Sequence, residues 1–61
     1  MDPTEYLAGE RAATEALGNI AADIAVPNEL YVTFARLETD SARIGFLRRI
    51  QKHVERTRTA A

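Results

Sequence analysis

The 61-residue chain contains no cysteine and no tryptophan, and it has one histidine, two prolines and three glycines. Without cysteine there is no disulfide framework, no thiolate metal site and no thiol nucleophile. A lone His53 leaves no imidazole pair, and no HxxxH, ExxH or EF-hand spacing occurs. Glycines 9, 18 and 45 are scattered, so no phosphate-cradling loop is present. No apolar run approaches the roughly 20 residues of a membrane span, and the opening MDPTEYLAGE lacks the basic-then-apolar order of a signal peptide. These absences point away from an enzyme, from any metal or cofactor and from a membrane protein, and they make the cytoplasm the expected location.

What the chain does contain is modest. Apolar residues are 46% of it, but 11 of those 28 are alanine, leaving five Leu, four Ile, three Val, two Phe, two Tyr and one Met to supply buried area. A domain this short buries only about 60% of the surface its unfolded chain exposes. Help from self-association is therefore expected.

The net charge of -1 conceals an asymmetry: residues 1–40 hold eight acids against Arg11 and Arg36, whereas residues 41–61 hold six bases against Glu55. An acidic N-terminal helix beside a basic C-terminal one would favour their pairing. The same bases, Arg43, Arg48, Arg49, Lys52, Arg56 and Arg58, also form a candidate docking face for an acidic partner.

Asp2-Pro3-Thr4-Glu5 is a helix start, with Asp as N-cap, Pro at the first helical position and Glu placed to reach back as in a capping box. Tyr6, Glu10, Ala13, Leu17, Ile20 and Ile24 then follow a +4, +3 heptad rhythm, predicting a helix over 3–25. Gly9 and Gly18 weaken it but would let another backbone approach closely. Glu10 interrupts this seam. In a hairpin turning near Pro27 it would face residue 44 and reach Arg43 or Arg48, as an ion pair that fixes register. Val26-Pro27-Asn28 marks a turn with Asn28 as the next N-cap, and a second helix is predicted over 29–57 with a frayed tail at 58–61. Its apolar stripe slips from Leu30, Phe34 and Leu37 to Ile44, Leu47, Ile50 and Val54. The alternative to a continuous or bent helix is a break at Thr39-Asp40-Ser41, all three good N-cap residues.

Over residues 17–36, LGNIAADIAVPNELYVTFAR places Leu17, Ile20, Ala21 and Ile24 before a turn at Ala25-Val26, with Tyr31 and Phe34 after it. This third of the chain resembles a helix-turn-helix and is similar to the equivalent segment of tetracycline-repressor-type regulators. That resemblance implies a DNA-binding transcriptional regulator reading bases through Asn28 and Thr33. The chain departs from the pattern at Ala25, where glycine usually takes the left-handed turn. The Leu30-Tyr31 pair also comes one residue early, and PNELYVTFAR carries a single base, Arg36, at its far end, where DNA readers need cations.

The sequence thus predicts an all-α single domain: a two-helix antiparallel hairpin that pairs with another copy into a four-helix bundle. Its expected role is a small non-enzymatic adaptor, regulator or assembly subunit that self-associates and binds another protein. The candidate contact residues are Ile44, Leu47, Ile50 and Val54 on an apolar face and Arg48, Arg49, Lys52 and Arg56 on a basic one, the latter suited to an acidic surface.

Overall fold

Three helices form, α1 at Pro3–Ala21, α2 at Glu29–Arg36 and α3 at Asp40–Ala60, in a computed structural model that describes residues 2–60. The all-helical class is as expected, and the predicted second helix is two helices, parted close to the alternative break at Thr39-Asp40-Ser41, so three helices stand where a two-helix hairpin was expected. Met1 and Ala61 lie outside the described residues; up to Ala60 the tail predicted to fray is helical backbone.

α1 begins as its first residues dictate. The Asp2 carboxylate accepts from the amides of Thr4 at 2.9 Å and Glu5 at 3.5 Å, and Pro3 occupies the first turn, where a missing N–H costs nothing. Glu5 does not close a capping box. Its carboxylate instead accepts from the Thr39 hydroxyl at the start of α3.

The helix ends four residues before the predicted Ala25. Asp23 adopts a left-handed φ of 65°, its N–H donates to Ile20 (3.1 Å), and that of Ile24 donates to Asn19 (2.8 Å). This is the double bond of a Schellman cap, with aspartate where glycine is usual. Ile24, which continued the heptad rhythm, is 76% exposed and anchors nothing.

The connection from Ala22 to Asn28 spans seven residues, against the three or four of a helix-turn-helix. The left-handed residue there is Asp23 rather than Ala25. Asn28 is helical (φ -58°, ψ -18°) and makes no side-chain cap, correcting the expected role. α2 ends because Leu37 is extended (ψ 133°), after which Thr39 takes the N-cap position of α3. Its hydroxyl accepts from the Ala42 amide at 3.1 Å and donates to Glu5 at 3.3 Å. No proline or glycine marks this break, so only the slip of the apolar stripe and the three cap-forming residues signal it.

Since α2 carries the chain back, α1 and α3 run in the same sense rather than antiparallel. Their contacts advance together: Asp2 N–H donates to Ser41 Oγ, Gly9 meets Ala42, and Thr14 meets Arg49. The acidic and basic halves do pair, but in this parallel register. It gathers Asp2, Glu5 and Asp40 around two adjacent helix N-termini, whose partial positive charge those carboxylates offset.

The α1/α3 contact is built from small residues. Gly9, Ala13 and Ala16 on α1 are buried, as are Ala42, Gly45 and Phe46 on α3. A Cβ on Gly9 would sit 2.7 Å from the Ala42 carbonyl carbon, and one on Gly45 would sit 2.9 Å from that of Tyr6. The two backbones touch at both places. Gly18, by contrast, faces open space. Among the described residues Phe46 is the one large buried side chain, and its ring packs at 5.7 Å against Phe34 of α2.

Candidate interaction face

The eight residues singled out from the sequence all lie on α3 but on different sides of it. At 100° per residue, Leu47, Ile50 and Val54 lie within about 60° of one another, whereas Arg49, Lys52 and Arg56 cluster about 180° away. Ile44 and Arg48 occupy the flank between. The apolar and basic sets are therefore two surfaces rather than one.

The basic set borders α1. Arg49 Nε donates to the Thr14 hydroxyl at 3.1 Å, and that hydroxyl donates to the Glu10 carbonyl at 3.0 Å. Lys52 Nζ lies 4.0 Å from the Glu10 carboxylate. This corrects the partner expected for Glu10: the same-sense packing of α1 and α3 brings Lys52 to it, not Arg43 or Arg48. Arg43 pairs instead with Asp40 at 3.4 Å, one turn back on its own helix. Glu10, Arg49, Lys52, Glu55 and Arg56 line an open cleft of about 650 Å³. Two of its bases are already engaged within the chain, so only part of the predicted basic face points outward for a partner.

The apolar set borders α2. Leu47 and Ile50 join Leu30, Tyr31, Phe34 and Phe46 around a shallow groove of about 240 Å³. Leu47 is 55% exposed and Val54 47%, and Tyr31 at the rim of the groove is 73% exposed. Leu30, Tyr31 and Phe34 complete this groove from α2, a contribution that the predicted layout of two helices does not contain. The +4 spacing of Leu30 and Phe34 was visible. The break at residues 37–39 lays α2 against α1 and also brings the Leu30, Tyr31 and Phe34 side chains to α3.

His53 is exposed, and its carbonyl accepts from the Thr57 hydroxyl at 2.9 Å. Among the described residues no group of three His, Cys, Asp or Glu side chains could hold a metal ion, and no helix is long and apolar enough to cross a membrane. No protein-family profile, no curated protein and no solved structure matches the chain.

Proposed function

We propose that the protein is a small non-enzymatic adaptor, regulator or assembly subunit that self-associates and binds another protein through α3. The observation that carries this reading is the row Leu47, Ile50 and Val54 beside Tyr31, an aliphatic and aromatic surface left open to water while the buried positions among the described residues are mostly alanine and glycine. The accessible surface supports it: 4565 Å² for 6.8 kDa, against about 3950 Å² for a self-sufficient monomer of that mass. The outward bases Arg48 and Arg56 would add a rim favouring an acidic partner surface, whose main effect is on encounter rate and specificity.

Sedimentation equilibrium at micromolar concentration should reveal a dimer or larger species, and the melting temperature should rise with protein concentration. Replacing Leu47 and Val54 together by Glu should give a monomer of unchanged helical content. A wild-type monomer with a concentration-independent melt would overturn the reading.

A further inference from the structure

The geometry points to a second copy of this chain as the occupant of the α2/α3 groove, docked so that the two α3 helices run antiparallel about a two-fold axis between Leu47 and Ile50. This rests on the self-association proposed above and specifies its geometry. The row facing away from α1 reads Asp40, Arg43, Leu47, Ile50, Val54 and Thr57, spaced +3, +4, +3, +4, +3. That is a heptad seam, apolar in the middle and polar at both ends.

The seam is self-complementary about its centre. Setting Leu47 against Ile50 of the second copy also sets Arg43 against Val54 and Asp40 against Thr57. An isologous contact requires just such reciprocity. Leu47 and Ile50, already on the edge of the groove with Tyr31 and Phe34, would thus enter the matching groove of the other copy.

Charge selects the direction. One end of α3 is acidic: Glu38 and Asp40 lie there, Asp2 reaches it through Ser41 and Glu5 through Thr39. The Asp40 side chain stays 95% exposed despite its contact with Arg43. The other end carries Arg56 and Arg58, both exposed. Asp40 and Arg58 stand about 13 and 14 Å on either side of the proposed axis. Antiparallel docking therefore lays each acidic end beside the basic end of the other copy. Parallel docking would set Arg43 against Arg43 and Arg58 against Arg58, and would bring the two acidic ends together, all repulsive arrangements.

Because the chain has no cysteine, engineered thiols report the direction without background. In the antiparallel pair, position 43 of one copy meets position 54 of the other, whereas the two residues at position 54 are about 16 Å apart, beyond disulfide reach. The full-length variant carrying both Arg43→Cys and Val54→Cys should oxidise to a covalent dimer at least tenfold faster than Val54→Cys alone. Within one chain the two thiols are too far apart to close on each other. Cross-linking by Val54→Cys alone would mean parallel docking. A sedimenting dimer in which neither variant cross-links would place the interface elsewhere. Both results overturn the antiparallel geometry and leave self-association standing. A wild-type monomer overturns both.

Discussion

One methyl group added at Gly9 and one at Gly18 should act in opposite directions, although both positions lie inside α1. At Gly18 nothing stands within 4 Å of the new carbon, so Gly18→Ala collects the helix-propensity gain, about 1 kcal/mol. At Gly9 the carbon would overlap the Ala42 backbone, which cannot step aside as a flexible side-chain tip could. Overpacking of that kind costs about 1–3 kcal/mol, more than the propensity gain. Urea denaturation followed by circular dichroism measures both, and the expected order of midpoints is Gly18→Ala, wild type, Gly9→Ala. The sequence signalled that glycine on an alanine-rich face permits close approach. It could not say which glycine, since that depends on residues some 33 positions away, and it gave Gly45 no packing role at all.

At the scale of the elements, helix starts were more legible than helix ends. Asp2-Pro3 carries its own capping chemistry in adjacent residues, and the Asp2 bonds form as the sequence predicts. The end of α1 is set by a left-handed Asp23, a conformation aspartate tolerates but does not announce, so the heptad rhythm through Ile24 misled. The apolar stripe of α3 was readable, including Leu47, Ile50 and Val54 as a row. Which helix would stand beside it was not, because that follows from whether the chain breaks at residues 37–39. Thr39 sits at that break with two hydrogen bonds, one capping α3 and one tying it to α1. Thr39→Ala should therefore lower stability by about 1 kcal/mol and speed hydrogen exchange at the Ala42 amide. Asn28→Ala, which removes no capping bond, should change stability by less than about 0.5 kcal/mol. Equal effects of the two substitutions would mean that the Thr39 bonds contribute nothing net.

For the molecule as a whole, the backbone extents are 34 × 24 × 14 Å, and the shortest is about one interhelical distance, 8–10 Å, plus the roughly 4.6 Å width of one helix backbone, a slab two helices thick. Such a shape has no deep interior, which is why alanine and glycine dominate the buried set and why the longer aliphatic side chains line an open groove. Its connectivity has a kinetic consequence. The bonds that tie α1 to α3 join residues 34, 35 and 39 positions apart, more than half the chain length. An up-and-down hairpin could zip from its turn, but here the first and last helices must meet before most of the packing forms, while α2 lies against α1, its neighbour in sequence. The entropy of closing that long loop then falls on the folding step. Inserting a few flexible residues into the exposed connection between Ala22 and Asn28 should slow refolding in stopped-flow experiments and leave the unfolding rate unchanged. If the insertion instead accelerated unfolding, the loop between α1 and α3 would close only after the transition state, and the meeting of the two helices would not be the step that limits folding.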